Sequence, residues 1–243
     1  MTVSTVRGDG RAPSDLRPLK VEMGYLEWAE GSVLLEMGKT RVLVAASYEA
    51  KVPKFLHGKS TGWVTAEYSM LPRSTAIRTP REVHAGRPSG RTQEIQRLVG
   101  RSLRAITALE RMGECTIWID CDVLQADGGT RTASITAGYL ALAHAVSRLA
   151  EQGLLRPDVL SDSIAAVSAG VVEDELLLDL CYEEDARAEV DFNVVMTGSG
   201  DLVEVQGTAE GRPFSRATLD ELVDVAADGI RQLTEFQRQA LSG

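Results

Sequence analysis

Residues 116–134 read Thr116-Ile-Trp-Ile-Asp-Cys-Asp-Val-Leu-Gln-Ala-Asp-Gly-Gly-Thr-Arg-Thr-Ala-Ser134. Residues 116–124 alternate between apolar and polar side chains, a pattern typical of a β-strand. Two glycines then break the pattern, and an apolar period of three to four residues over 130–149 predicts a long helix. The chain is therefore expected to leave a strand, turn on glycine and enter a helix at once.

The elements before this stretch are predicted to be a strand meander, a loop-rich segment and one helix. Strand-like runs occupy 21–28, 32–36 and 41–46, and a further run lies at about 63–68 within the loop-rich residues 51–90. Apolar side chains spaced by three and four from residue 95 to residue 109 predict a helix that begins near residue 92. The opposite side of that helix carries Arg97, Arg101 and Arg104, and it is expected to be a solvated face or a subunit contact.

Beyond a polar joint at 150–162, strands are predicted at 164–171, 176–182, 190–196 and 202–207. A last helix is predicted over 215–241, with Ser215 as its N-cap. Each half of the chain thus gives strands first and a helix afterwards. This order predicts an α+β fold, one domain over 1–243 made of two similar units of mixed β-sheet packed with helices, with halves of about 1–150 and 151–243.

Charge is distributed unevenly along the 243 residues, whose net charge is −9. Residues 73–111 hold nine arginines against three glutamates, whereas residues 173–191 hold nine carboxylates against one arginine. The basic segment therefore suits a polyanionic partner that the total charge would not suggest. The three cysteines have no CxxC spacing, which disfavours a zinc site or a disulfide framework and predicts buried, small apolar side chains.

No run approaches the roughly 18 apolar residues of a membrane helix, and Met1-Thr-Val-Ser-Thr-Val-Arg7 lacks the apolar core of a signal peptide. The cytoplasm is the expected compartment, and no membrane partner is expected.

The glycine turn, residues 127–131, is a candidate anion site. Glycines allow a ligand to approach the backbone closely, and the N–H groups at a helix start carry a partial positive charge that favours phosphate. Arg131 would add a full positive charge. The alternative is a tight turn in which Thr130 or Thr132 caps the helix. Because no GxxxxGK[ST] sequence is present, a nucleoside triphosphate site is not indicated.

Arg91 lies at the start of the first predicted helix, where the helix dipole disfavours a guanidinium unless an anion offsets it. This makes Arg91 a candidate phosphate ligand, with simple solvent exposure as the alternative. Four further arginines lie among proline, serine, threonine and glycine, where no apolar period anchors them. Such a loop either follows an RNA backbone by charge or has no ligand; these residues are Arg73, Arg78, Arg81 and Arg87.

Two carboxylates, Asp185 and Asp191, are predicted at a turn and at the start of the following strand. If they meet at one mouth of the sheet, they could hold a hard divalent cation or supply a general acid. The spacing does not distinguish these roles from a solvated acidic loop.

Several long strings in this sequence resemble the ribonuclease PH family of phosphorolytic exoribonucleases. Besides residues 119–134, the resemblance rests on residues 15–18 and on Arg7-Gly-Asp-Gly-Arg11, Gly62-Trp-Val-Thr-Ala-Glu-Tyr-Ser-Met-Leu-Pro-Arg73, Gly90-Arg-Thr-Gln-Glu-Ile-Gln-Arg-Leu-Val-Gly-Arg-Ser-Leu-Arg104 and Val205-Gln-Gly-Thr-Ala-Glu-Gly211. It covers nearly the whole chain. The fold that it implies is RNase PH-like, built from units like domain 2 of ribosomal protein S5.

The resemblance also implies an activity, a site and an assembly. The activity is 3′-to-5′ trimming of tRNA precursors and other RNA 3′ ends, in which inorganic phosphate is the co-substrate and nucleoside diphosphates leave in a reversible step. The assembly is a homohexamer, a trimer of dimers. The residues implied are Arg91, Gly129, Thr130 and Arg131 for phosphate, Asp185 and Asp191 for catalysis and Mg²⁺, and Arg73, Arg78 and Arg81 for tRNA.

Two alternatives come from other functional classes. A non-catalytic RNA-binding ring subunit of an exosome-like assembly is disfavoured because both the glycine turn and the two aspartates are present. A small-molecule kinase would need the triphosphate loop that the sequence lacks.

Overall fold

A computed structural model describes residues 7–243, apart from the side chains of Val83 and Ala85. The prediction that residues 1–7 do not form a signal peptide concerns mainly residues 1–6, which lie outside the described residues. Two β-sheets lie on either side of residue 150. The division of the chain into two similar halves near residue 150 stays a prediction. No helix in residues 7–243 is long and apolar enough to cross a membrane.

The first sheet has five strands in the order β1-β2-β3-β5-β4. All neighbours pair antiparallel except β4 and β5, which run parallel because α1 (Gly90–Ala105) connects them as a crossover. Helix α2 (Thr130–Glu151) follows β5 after the glycine turn and packs on β2 and β3. The strands are Leu19–Met23 (β1), Gly31–Met37 (β2), Thr40–Glu49 (β3), Trp63–Met70 (β4) and Thr116–Gln125 (β5).

The second sheet has four strands in the order β7-β6-β8-β9, and every pairing in it is antiparallel. A single turn of helix, α3 (Tyr182–Asp185), connects β7 to β8, and α4 (Arg216–Ser242) packs on β6 and β8. Because α2 also packs on β6, one apolar core joins the two units. The strands are Ile164–Val172 (β6), Glu175–Leu178 (β7), Val190–Thr197 (β8) and Leu202–Ala209 (β9).

The predicted α+β fold of two sheet units packed with helices is confirmed, and the first of the two sheets is mixed. Ser215 caps α4 as expected, since its side chain accepts a hydrogen bond from the Thr218 amide. The long helices follow from their apolar stripes, which bury one face of each against a sheet.

Three elements were predicted to be longer than they are in the structure. The strand over 21–28 ends at Met23, because Gly24 adopts a left-handed backbone with φ of 69°. The helix predicted to residue 109 ends at Ala105, and Leu109 packs on the core from a separate short turn. The strand over 176–182 ends at Leu178, because Asp179 has a φ of 52° and turns the chain into α3.

Two predicted environments were also wrong. Arg104 is not on a solvated helix face: its guanidinium lies 4.3 Å from the centre of the Trp63 ring and donates to the Val64 carbonyl at 2.8 Å. Cys115 and Cys121 are buried as expected, but Cys181 is partly exposed at the start of α3.

Candidate active site

The glycine turn joins β5 to α2 and leaves the first helical amides uncapped. Gly129 is the N-cap, with φ of 63°, and no side chain within residues 7–243 caps this helix start. The alternative in which Thr130 or Thr132 caps α2 is therefore wrong. Thr132 instead donates to the Gly129 carbonyl at 2.9 Å. Uncapped amides and the helix dipole suit an anion here.

Tyr68 reaches the same turn from β4, and sequence reasoning missed it. Its hydroxyl lies 2.9 Å from the Thr130 hydroxyl, and both residues are buried. Burial raises the pKa of Tyr68, so the phenol keeps its proton and can donate to Thr130. If it donates, the Thr130 hydroxyl has its own proton free for another acceptor. The alternation of β4 predicts that Tyr68 points inward, but only the fold shows its partner.

Arg131 sits where α1, α2 and β9 converge. Its Nη1 lies 3.2 Å from a carboxylate oxygen of Glu94 on α1 and contacts the side-chain oxygen of Gln206 on β9. The side-chain amide nitrogen of Gln206, Nε2, donates to the same Glu94 oxygen at 2.9 Å. The Arg131 side chain is largely buried, at 13% exposure, so its charge is poorly screened by water. Neither Glu94 nor Gln206 was predicted as a site residue.

Arg91 is the second residue of α1 and is exposed. Ser89 caps that helix by accepting from the Thr92 amide at 3.1 Å, so the helix start itself is satisfied. The predicted position of Arg91 at a helix start is thus observed.

Asp185 ends α3, and Asp191 follows at the second position of β8. Asp185 is exposed and Asp191 is half-buried. Desolvation by the surrounding protein raises the pKa of both carboxyls, and for Asp191 the negative charge of Asp185 raises it further. Arg91 and Arg131 oppose these effects at both aspartates. Asn193 also donates to Asp191, at 3.3 Å. Two carboxylates and two guanidiniums therefore lie within one another's electrostatic field.

The structure thus brings together the predicted phosphate-binding and catalytic residues from both units. The first unit supplies the cations and the helix start, and the second supplies the carboxylates. The arrangement can hold an anion at the glycine turn. It can also present carboxylate oxygens to a substrate that this anion attacks. The residues concerned are Arg91, Gly129, Thr130, Arg131, Asp185 and Asp191.

The predicted RNA-contacting arginines lie elsewhere, on the loop between β4 and α1. Arg73, Arg78 and Arg81 are all exposed. Arg73 donates to the Ala76 carbonyl at 3.0 Å, a contact within the loop itself. Burial raises the pKa of Asp122 on β5, and the positive charge of Arg81 opposes part of that rise. Among the described residues, no hydrogen bond or ion pair joins these arginines to the glycine turn or to the two aspartates.

An arm before β1, residues 7–18, holds the segment that carries Asp185. Arg7 donates to the Leu178 carbonyl at 2.7 Å and to both carboxylate oxygens of Glu184, at 2.6 and 2.7 Å. Glu184 is the residue next to Asp185, and its side chain is 6% exposed. The arm contributed to the family resemblance, but no local pattern assigns it these partners across more than 170 residues.

Comparisons with known proteins cover nearly the whole chain. Residues 15–147 match the profile of domain 1 of the 3′ exoribonuclease family, and residues 162–229 match that of domain 2. Ribonuclease PH of Moorella thermoacetica is 57% identical over 236 residues, which cover 97% of this chain and 94% of that protein.

Solved structures of low sequence identity share the fold. Rrp46 of rice, Oryza sativa, superposes with a TM-score of 0.78 at 20% identity, over 97% of this chain and 100% of that one. A chain of the Archaeoglobus fulgidus exosome, solved with RNA bound to the active site, gives 0.78 at 23% identity, over 95% and 92%. At these identities the likeness concerns the fold alone.

Proposed function

The chain belongs to the 3′ exoribonuclease family, whose ribonuclease PH members act by phosphorolysis, and we propose that it trims the 3′ ends of tRNA precursors. Inorganic phosphate is the co-substrate, and each cycle releases one nucleoside diphosphate. The observation that carries the proposal is that the charges of Arg91 and Arg131, from the first unit, act on the carboxyls of Asp185 and Asp191 in the second, where they oppose the rise in pKa that desolvation causes. A purely RNA-binding subunit has no need of such a site.

Phosphate is proposed to bind at the start of α2. The amides after Gly129 and the Thr130 hydroxyl would donate to its oxygens, while the guanidiniums of Arg91 and Arg131 would balance its charge. Arg131 pairs with Glu94 at 3.2 Å, so bound phosphate would compete with that carboxylate for the guanidinium. Positively charged, hydrogen-bonding surroundings of this kind also stabilise the charge that gathers on phosphorus in the transition state.

The reaction is an in-line displacement at the last phosphodiester. A phosphate oxygen bonds to the phosphorus of the terminal nucleotide as the bond from that phosphorus to the 3′ oxygen of the preceding nucleotide breaks. The departing 3′ oxygen takes a proton, which a carboxyl of raised pKa, Asp185 or Asp191, is suited to supply. Because a phosphoanhydride forms as an ester bond breaks, the step is reversible.

The two aspartates also fit Mg²⁺. This ion is commonly held by one or two carboxylates together with water and substrate phosphate oxygens. Within the described residues, no group of three or more histidine, cysteine, aspartate or glutamate side chains could hold a metal ion. Bound at Asp185 and Asp191, Mg²⁺ would neutralise charge on the phosphate oxygens.

RNA is proposed to approach along the exposed loop that carries Arg73, Arg78 and Arg81, which would contact the phosphate backbone without reading bases. We further propose a homohexamer, as the family resemblance implies. Six such loops would then raise the positive potential around one opening despite the net charge of −9. Light scattering is expected to give a mass six times the 26.2 kDa of the chain; a monomer would contradict the ring.

The proposed activity is tested with a 3′-extended tRNA precursor carrying a label in its last nucleotides. Purified protein and Mg²⁺ are incubated with and without inorganic phosphate, and labelled mono- and diphosphates are separated. Diphosphates are expected only with phosphate. Monophosphates without phosphate would mean hydrolysis, and binding without release would favour the RNA-binding subunit. Protein carrying Asp191→Asn, purified in parallel, controls for contaminating nucleases.

A further inference from the structure

Arg17 and Asp179 form an ion pair between the two units that is closed to solvent. The Arg17 guanidinium donates to both carboxylate oxygens, at 3.0 Å from Nε and at 2.7 Å from Nη2, and the Arg17 amide adds a bond of 2.7 Å. The two side chains are only 2% and 0% exposed. A buried pair of this kind tolerates little change of geometry, because Arg17 alone would be a buried cation without a carboxylate partner, and Asp179 alone would keep only Arg11, at 3.8 Å.

The other edge of the same guanidinium holds the glycine turn. Its Nη1 donates to the Asp127 carbonyl at 2.5 Å. Thr40 reinforces this contact, since its hydroxyl donates to the Gly128 carbonyl at 2.8 Å and accepts from the Asp127 amide at 2.9 Å. The backbone directly before the proposed phosphate site is therefore fixed to Arg17 and Thr40.

Asp179 begins the segment that ends in Asp185. Its backbone is left-handed, with φ of 52°, which is uncommon for a residue with a side chain and persists only where the surroundings hold it. The Asp179 amide donates to the Ser168 carbonyl at 2.7 Å, and the carboxylate is held by Arg17. The direction in which the chain leaves β7 toward α3 therefore depends on the ion pair.

The glycine turn and the start of α3 also touch directly. A Cβ atom on Gly128 would lie 2.6 Å from the Leu180 carbonyl oxygen and 2.9 Å from the Tyr182 nitrogen. The Tyr182 amide lies 3.4 Å from a carboxylate oxygen of Asp127. The two backbones pack so closely that a movement of one displaces the other.

We propose that Arg17 and Asp179 are positioning residues, which set the distance between phosphate bound at the glycine turn and the carboxylate of Asp185. This inference rests on the proposed function. Phosphorolysis needs the attacking phosphate and the carboxylates around one phosphorus atom, yet different units supply them. A single guanidinium that bonds to both segments transmits the position of one to the other.

Arg17→Lys tests the pairing because lysine keeps the buried charge but cannot reach both segments with a planar fork. At a temperature where the variant is folded, we expect kcat to fall by about 10- to 100-fold, the order of loss that a misplacement of up to about 1 Å causes. The KM for phosphate is expected to stay within about 3-fold, since the groups that contact phosphate are unchanged.

Thr40→Val is a milder second variant, and Thr136→Val is its matched control. Both threonines are buried, and each hydroxyl bridges a backbone carbonyl and a backbone amide; for Thr136 these both belong to Ala166, away from the glycine turn. Similar losses of stability are therefore expected, although the Thr40 hydroxyl also accepts a hydrogen bond from Arg17 Nη1 at 3.3 Å. Only Thr40→Val is expected to lower kcat, by about 3- to 10-fold.

Hydrogen exchange gives a readout that needs no turnover. The amides of residues 185–188 are hydrogen-bonded within the α3 turn. We expect them to exchange faster in Arg17→Lys and Thr40→Val than in Thr136→Val. Wild-type kcat and wild-type exchange in the first two variants, or a lowered melting temperature alone, would overturn the positioning role. If Arg17→Lys does not fold, Thr40→Val decides. If the wild-type protein releases no diphosphates, the result counts against the proposed function. The exchange comparison then still decides whether Arg17 and Asp179 couple the glycine turn to the segment that carries Asp185.

Discussion

Replacing Arg131 with alanine is expected to lower kcat/KM for phosphate by about 10²- to 10³-fold, the usual loss when one group that stabilises transition-state charge is removed. The Arg131 side chain is largely buried and its charge acts on both aspartates, so its charge is not replaced by solvent. Arg91→Ala removes an exposed cation from the same field and should have a smaller effect. Rates measured over a series of phosphate concentrations give the answer.

Arg101→Ala is the matched control for this prediction. Arg101 lies on α1 and pairs with Glu204 of β9 at 3.0 Å, so it joins the same two elements as the Arg131 contacts, but the Arg101 side chain is 57% exposed against 13% for Arg131. Such a surface pair contributes little to stability. Its removal should leave phosphate kinetics unchanged. Full activity in both Arg91→Ala and Arg131→Ala would mean that the phosphate site is wrongly assigned.

The family and the fold class predicted from the sequence are confirmed. The family prediction rested on long strings that resemble its members, and the fold-class prediction rested on the periodicities. Apolar stripes continue for four turns or more in α1, α2 and α4, and a pattern of that length has one structural solution. The ends of elements were less predictable. Gly24 and Asp179 stop their strands by adopting left-handed backbones, and neither residue type requires that conformation.

The site was predictable where local physics selects it. A glycine turn before a helix, and an arginine at another helix start, each point to an anion without knowledge of the fold. Their roles stay predictions, as do those of the two aspartates. What the sequence could not show is the set of supporting partners. Tyr68 meets Thr130 across 62 residues, and Arg17 meets Asp179 across 162, so no spacing rule connects either pair.

Asparagine at Asp185 or Asp191 is expected to abolish most turnover while leaving the fold intact. Loss of a positioned general acid or base typically costs about 10²- to 10⁴-fold in rate. Asparagine has nearly the size of aspartate, so packing is kept and the loss should appear in kcat. Glu183→Gln is the control, because Glu183 is exposed on the same short helix. Wild-type kcat in both asparagine variants would exclude a catalytic role for the pair.

The raised pKa values also predict how the stability of the protein depends on pH. The ordinary aspartate pKa is 3.8, and burial, together with the charge of Asp185, raises that of Asp191 in the folded protein. Between the unfolded and folded pKa values, the native state binds more protons than the unfolded chain. Its free energy of unfolding therefore falls as pH rises through that interval. The ionised form of Asp191 is thus less favourable to the fold than its protonated form.

Asp191→Asn should consequently be at least as stable as the wild-type protein at pH 7, with an advantage that shrinks as the pH approaches 4. Urea unfolding at both pH values, in buffer free of phosphate so that no anion stabilises the site, measures the difference. A variant that is less stable at pH 7 than at pH 4, relative to wild type, would mean that the guanidiniums outweigh burial at Asp191. The carboxylates would then be held as fixed anions, and a proton for the departing 3′ oxygen would have to come from water rather than from Asp191.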